Sequence, residues 1–563
     1  MSRKTQEHNF LSAATLIGGV TLLSRILGYA REKAAAHFFG TGPVWEAFVY
    51  AFRIPNLFRK LLGEGALSQA FIPLYAGAVK RNDAPGDFAA ASVNLLMLIL
   101  TGVTVVGELI LLAMARFGNW SDETRLAITL TSVMLPYVML VCGAAFLSGI
   151  LQVHKRFAAP AATAIVLNFV QIVAMALLAW RYDLGTPDGA RLAVWWLSAC
   201  VLASGFLQIG ILLPDLYRSG FRFRLAVKIW TPLVKKMLLL SLPVALSASV
   251  LQIGVFLDGQ ISYMLTPHGA ATTFTLFGHT FAYPMTDGAI VRLNWAQFMY
   301  QFPLGVFAIA IATAIFPKLS EDAINQLGVE SGESRVADQR STATLHSPLT
   351  TENFRNTLRR GIEAAMFIGL PASVGMVIIA FPAVRLLFEG GRFTLADARW
   401  TALSTAIYSA AIWAFSVQQI LNRGYYALHD ARTPLIWTIV NLLLNLVVEI
   451  PLAFTGLGES AMAVGTLVSF AVQTTIMTAM LCRRVQLHLK PMLMTLGKML
   501  IASAVMGVAC YATRAAFPSR EALSHVRLGV EVVSIMSVGG IVYFGMCQLL
   551  GLPVWSFVRR KKA

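Results

Sequence analysis

Apolar residues dominate the chain in runs of about twenty, and short polar clusters separate them. A helix that crosses a bilayer needs roughly 20 mainly apolar residues. About fourteen segments meet that length, with centres near Val20, Gly63, Leu100, Pro136, Val170, Val201, Leu251, Ala308, Met376, Ile407, Leu444, Val468, Ala504 and Val538. The breaks between them carry turn and charge signals: "KRNDAPGD", "HKRFAAP", "YRSGFRFR", "EGGRFT", "HDARTP" and "CRRVQLHLK". The pattern therefore predicts an all-α integral membrane protein of about 14 transmembrane helices.

One stretch interrupts the pattern. Glu321 to Asn356 is rich in Ser, Thr, Gly and Glu and has no apolar periodicity. It reads as a flexible cytoplasmic linker, residues 321–356. The expected division is 1–230, 231–485 (with that linker) and 486–563, the last holding two helices and the basic tail "RRKK". No internal sequence repeat is visible.

Composition agrees with the pattern. The chain of 563 residues is 57% hydrophobic and only 13% charged, against about 45–50% and about 25% in soluble domains. Its net charge of +17 does not point to nucleic acid, because the cations form short clusters between apolar runs and not one basic surface. They also set an orientation. With the N-terminus inside, Lys and Arg concentrate in the inner connections, notably between Arg218 and Lys236 and between Lys318 and Arg360. The expectation is an even span number with both termini cytoplasmic. The first segment is expected to be retained and not cleaved as a signal peptide, because Arg25, Arg31, Glu32 and Lys33 separate its apolar run from the "AAA" at Ala34 to Ala36. The five cysteines lie in apolar runs without metal or disulfide spacing, so they are expected to pack in the core.

Candidate chemistry lies in the first two segments. Arg25 and Arg31 are six residues apart, about 9 Å along a helix. Arg25 and Glu32 share a face, as do Arg53 and Lys60, with Glu64 four residues further on and Arg59 beside that stripe. Six cations between Arg25 and Lys60 face only Glu32, Glu46 and Glu64. A charge at mid-membrane costs about 2.5–3.5 kcal/mol on insertion scales. Snorkelling to headgroups accommodates Lys33 and Lys60 but not the whole set. A water-filled cationic cavity does, and its guanidinium groups suit a diphosphate that they can grip with two parallel hydrogen bonds.

Other intramembrane polar groups are weaker candidates. Asn441, Asn445 and Glu449 form one stripe, Asp258 lies in "IGVFLDGQIS", and Glu108 lies in "VVGELILL". An interhelical hydrogen bond is the default for each, although Glu108 or Glu449 could take a proton or Na⁺. No P-loop, HExxH, GxSxG or His/Cys/Asp cluster is present in the sequence, which favours a transporter without a cofactor over an enzyme.

"SRILGYAREKAAAHFFGTG" followed by "EAFVYAFRIPNLFRKLLGEGALSQAFIP" closely resembles the N-terminal signature of the MurJ (MviN) lipid II flippase family, in the multidrug/oligosaccharidyl-lipid/polysaccharide exporter superfamily. "QFPLGVFAIAIATAIFPKLS", "FEGGRFT" and "RGYYALHDARTP" resemble later family segments in the same order. The resemblance implies two six-helix lobes in a V shape plus two C-terminal helices that line a groove for a lipid tail. It implies a polyprenyl-diphosphate substrate carrying the peptidoglycan precursor, moved by alternating access in the bacterial inner membrane. Membrane potential or a monovalent ion is the expected energy source, membrane lipids the surroundings and a monomer the expected state. It matches Arg25, Arg31 and Arg53 to the family's cavity cations, and Arg59 and Glu64 to its second-helix charges. Glu46 stands where members often carry Asp. The alternatives are a flippase for another polyprenyl-diphosphate oligosaccharide, a cation-coupled drug exporter of the superfamily, or a scaffold or channel.

The chain departs from the family in two places. The family's acidic and basic positions before "QFPLG" fall on Gln297 and Phe298, and the stretch from Thr266 to Val291 is longer than the resemblance leads one to expect. Arg292 lies six residues before Phe298. It is a candidate substitute in the cavity, although "TDGAIVRLNW" reads more as a helix start at the outer surface.

Overall fold

The computed structural model describes residues 3–63, 66–224, 229–269, 272–276, 278–305, 315–316, 318–322, 352–487, 489–517 and 524–552. Glu64, residues 323–351 of the linker, the expected centre at Ala308 and the RRKK tail lie outside them.

The chain is helical almost throughout. In order it forms α1 (Arg3–Phe38), α2 (Pro43–Phe58), a π-helical turn (Arg59–Gly63), α3 (Ala66–Arg81), α4 (Pro85–Phe117), α5 (Asp122–Met134), α6 (Tyr137–Val153), α7 (Ala158–Arg181), α8 (Pro187–Arg218) and α9 (Pro232–Met264). A short hairpin follows, β1 (Thr273–Leu276) and β2 (His279–Ala282), then α10 (Ala289–Pro303). The remainder is α11 (Glu352–Phe388), α12 (Leu395–Ala410), α13 (Ile412–Ala427), α14 (Arg432–Leu452), a second π turn (Ala453–Leu457), α15 (Ser460–Arg484), α16 (Leu489–Ala515) and α17 (His525–Leu549).

Local chemistry sets several helix starts. Thr186 and Thr231 each precede a proline and accept a backbone N–H three residues on, from Gly189 and Val234. Ser121 does the same for Thr124, with Asp122 and Glu123 in the first turn. An N-cap oxygen satisfies one of the orphan N–H groups, and proline at the first helical position gives up a donor that had no partner.

Among the described residues, nine helices are long and apolar enough to cross a membrane, or ten if the bent pair α12–α13 is one span. The expected spans centred on Val20, Gly63 and Leu251 fall on α1, α2–α3 and α9, outside that set; Arg and Lys interrupt the first two. The α5–α6 run, broken only around Pro136, is 72% buried in its most apolar window, whereas those of α4 and α7 are 22% buried. The first is a core element, and the other two present apolar side chains outward, as lipid-facing helices do.

Two compact units divide the chain. The first comprises Met1–Val291 with Phe388–Thr394, and the second Arg292–Leu387 with Leu395–Ala563. In the first, α6 packs on α3, α4 and α8, while α1 lies on α7 and α2 on α5. Phe71 of α3 anchors the centre, its ring 4.3 Å from Phe146 and 5.4 Å from Phe88. The division differs from the boundary expected at 230/231, because α9 packs on α2 and α3 and stays with the first unit. In the second unit α14 packs on α15 and α16 on α17. Its core joins Leu358, Leu421, Met477, Met506 and Tyr543. All five cysteines are free thiols; four are buried and Cys200 is half-buried.

Candidate functional site

The cations singled out in the sequence belong to α1, α2 and the π turn, all in the first unit. Small polar residues bring α1 against α7: Ser24 Oγ donates to the Ala164 carbonyl at 3.2 Å, and Asn168 Nδ2 to the Ser24 carbonyl at 3.3 Å. Next to this contact, Arg25 is half-buried and makes no hydrogen bond or ion pair among the described residues. It does not pair with Glu32, despite their shared face. Glu32 is buried and forms an ion pair with its neighbour Arg31, which is half-buried.

Arg53 lies against α9. Its Nη1 donates to the Val255 carbonyl at 3.1 Å, and a Cβ on Gly259 would fall 1.7 Å from that nitrogen. Only glycine leaves room for the guanidinium. Asp258, the residue before it, is buried. The same face of α2 continues with Tyr50, whose hydroxyl accepts from Gln260 Nε2 at 3.0 Å and whose ring lies 4.2 Å from Tyr263. Arg59 opens the π turn and binds the Asn56 carboxamide oxygen through Nε at 3.2 Å and Nη2 at 2.9 Å. A π turn holds more residues than an α turn, so the phase of Lys60 is shifted from the one that a regular helix would give it relative to Arg53.

Glu46 is a correction. It is 1% exposed, and its carboxylate accepts from the backbone N–H groups of Gly288 at 2.9 Å and Ile290 at 3.3 Å. It caps the start of α10, where orphan N–H groups and the helix dipole favour a negative charge. Gly288 has φ +83°, and a Cβ there would lie 2.3 Å from the Thr41 carbonyl oxygen. Glu46 thus acts as a strut at the start of α10.

Arg292 is a second correction. It is not a surface-loop residue. It begins the second unit, is 3% exposed, and bonds Glu459 through Nε at 2.5 Å and Asp397 through Nη1 at 3.5 Å. Asp397 lies in the first turn of α12, and Glu459 directly precedes α15. Three helix starts therefore meet at one ion cluster. Sequence reasoning missed both carboxylates, since Glu459 is 167 residues from Arg292. Gln297, at the family's acidic position, is buried and donates to the Tyr408 hydroxyl at 3.2 Å; Phe298 is half-buried.

The weaker candidates behave as packed polar groups. Ser132 Oγ donates to Glu108 at 2.6 Å. Asn441, Asn445 and Glu449 are all buried on one face of α14, and Asn445 Nδ2 donates to Glu449 at 2.9 Å. That face packs on α15 at Gly465. In the "HDARTP" segment, Asp430 accepts from the N–H of Thr433 at 2.9 Å, its hydroxyl at 2.8 Å and Arg484 at 2.5 Å. Burial raises the Asp430 pKa, but the two Thr433 hydrogen bonds and the Arg484 guanidinium outweigh it and leave the carboxyl below its ordinary value. No group of His, Cys, Asp and Glu suited to a metal occurs among the described residues.

The family model "Lipid II flippase MurJ" matches residues 35–528. The chain belongs to the lipid II flippase MurJ family. A relative from Rhizobium meliloti, named "Probable lipid II flippase MurJ", is 29% identical over 97% of this chain and 94% of its own. A solved structure titled "Lipid II flippase MurJ, inward closed conformation" superimposes with a TM-score of 0.71 at 20% identity, covering 97% of this chain and all of that one. A multidrug resistance MATE family transporter of the MOP superfamily, in an inward-facing conformation, reaches a TM-score of 0.61 at 15% identity over 84% of this chain and 98% of that one. These two likenesses show the shared fold of a multi-pass membrane transporter. The N-terminal cations lie partly within the span matched to the MurJ family: Arg53 and Arg59 are inside it, and Arg25 and Arg31 directly precede it.

Proposed function

We propose that this chain flips lipid II, the undecaprenyl-diphosphate-linked peptidoglycan precursor, from the cytoplasmic to the outer leaflet of the bacterial inner membrane. The family match along residues 35–528 carries the reading. The chemistry of the first unit supports it. Arg25, Arg31, Arg53 and Arg59 are half-buried on apolar helices; Glu32 pairs with Arg31, Glu46 caps α10, and Asp258 is buried beside the seat of Arg53 on α9. Clustered guanidinium groups in a low-dielectric setting favour a diphosphate, which they can bind with paired hydrogen bonds.

In this reading Arg25, Arg31 and Arg53 take the diphosphate on the cytoplasmic side, the polyprenyl tail stays in lipid, and the two halves of the transporter rock about the bound headgroup. Arg53 acts from a fixed position, its guanidinium held on the α9 backbone at Gly259. The protein works as a monomer with both termini in the cytoplasm and needs no bound cofactor. The membrane potential supplies the drive, at about 2.3 kcal/mol per charge per 100 mV, or a monovalent ion does. The test is growth rescue of cells depleted of their own lipid II flippase. Rescue is expected. Failure with normal membrane insertion overturns the reading, and resistance to cationic drugs in its place would assign the chain to drug export.

A further inference from the structure

The connection between α9 and α10 contains no Lys, Arg, Asp or Glu from Ser262 to Thr286. It folds into the β1–β2 hairpin, with Phe274 opposite Phe281 and Thr275 opposite Thr280. Side chains alternate between faces along a strand. One face therefore carries Phe274, His279 and Phe281, and the other Thr273, Thr275 and Thr280. The Phe274 ring is 5.8 Å from Phe281 and 5.1 Å from Tyr283. All four β2 residues are exposed, Phe281 to 40%. The ribbon is amphipathic and uncharged, and among the described residues it forms a two-stranded sheet.

Its root marks where it lies. A Cβ on Gly269 would be 3.6 Å from Ser121 Cβ, so the hairpin springs from beside the α4–α5 junction. There the membrane-crossing α4 ends in exposed aromatics, Phe117 at 86% and Trp120 at 39%. Two crossings later α7 ends the same way, at Trp180, 85% exposed. Aromatic side chains collect at the membrane–water boundary. Open strand edges are excluded from hydrocarbon because their N–H and C=O groups would go unpaired, whereas headgroups and water can satisfy them. A protein adding a strand would use those edges but gives no reason for the aromatic face or the missing charges.

We infer that the hairpin is an interfacial anchor, with its Phe274–His279–Phe281 face resting in the headgroup–acyl boundary of the leaflet at the α4 C-terminus. The inference does not depend on what the protein transports. It is tested with the full chain in phosphatidylethanolamine/phosphatidylglycerol nanodiscs, labelled with an environment-sensitive fluorophore at Phe281→Cys, His279→Cys or Thr280→Cys. Labelling of the unsubstituted chain gives the background from its own thiols. Emission at 279 and 281 should shift to the blue and be quenched by lipids that carry a shallow spin label, while 280 stays water-like. Water-like emission at both 279 and 281 overturns the anchor. So does equal quenching at 280, which removes the two-faced ribbon. So does shielding at 281 that shallow spin-labelled lipid fails to quench, since the cover is then protein.

Discussion

The two units handle buried arginine differently. In the second, Arg292 is enclosed, with two carboxylates around it and three helix starts tied together. In the first, Arg25, Arg31, Arg53 and Arg59 are half-buried, with Arg31 on Glu32 and Arg53 on the Val255 carbonyl. A fully enclosed guanidinium with matched partners is an architectural joint. Half-enclosed guanidinium groups stay within reach of a bound anion, the role proposed for them above. The same residue type reads differently according to how far the fold encloses it.

That contrast can be broken by paired substitutions. Arg292→Ala leaves Asp397 and Glu459 buried without their cation, and removing one partner of such a pair costs about 3–5 kcal/mol. The purified protein should melt much earlier and reach the membrane at lower levels. Arg53→Ala should leave the melt nearly unchanged and abolish growth rescue, with Arg53→Lys recovering only part, because lysine lacks the planar fork. If Arg292→Ala melts normally, or Arg53→Ala unfolds the protein, the distinction fails.

Glu46 sharpens it further, as an acid of the first unit that the structure assigns to architecture. Glu46→Ala strands the Gly288 and Ile290 N–H groups, and a buried donor left unsatisfied costs about 1–3 kcal/mol. Glu46→Gln keeps an acceptor and should lose less. Both should act on the melt in proportion to their effect on rescue. Lost rescue with an unchanged melt would return Glu46 to the substrate-binding set.

The smallest effect is expected at the solvent-facing pair of Asp430 and Arg484. The folded Asp430 pKa lies below its unfolded value, so its contribution is complete above the unfolded pKa, about 3.9, and fades as pH falls through the folded one. Melting temperature should therefore decline on acidification below about pH 4, and Asp430→Asn should flatten that part of the curve. An identical acid limb in the variant would show that other carboxylates set it.

Much of this was legible from sequence because hydropathy is read locally. Helices from α4 to α8 and from α14 to α17 lie where the apolar runs place them, and the stripe of Asn441, Asn445 and Glu449 is one buried face. What escaped depends on distant partners. The acceptor role of Glu46 needs N–H groups 242 residues away. Arg292 follows Asp287–Gly288, which read as a water-facing start, and nothing nearby in sequence announces Asp397 or Glu459. The hairpin did leave a trace: Thr and Phe alternate on either side of Phe277–Gly278, a period of two inside a helical protein. The sign of charge of the candidate residues was legible in the sequence, but the π turn that shifts the helical phase at Arg59–Gly63 was not.

That turn has a consequence for how the segment can be edited. A π turn is in effect a one-residue insertion accommodated within a helix. Removing one residue from Arg59–Gly63 would let α-helical winding close with the flanking faces nearly kept, whereas removing one from the α-helical body of α2 would turn one part of that helix by about 100° against the other. A single deletion is therefore better tolerated in this turn than in the helix before it, a difference that a deletion scan will find and a substitution scan overlooks.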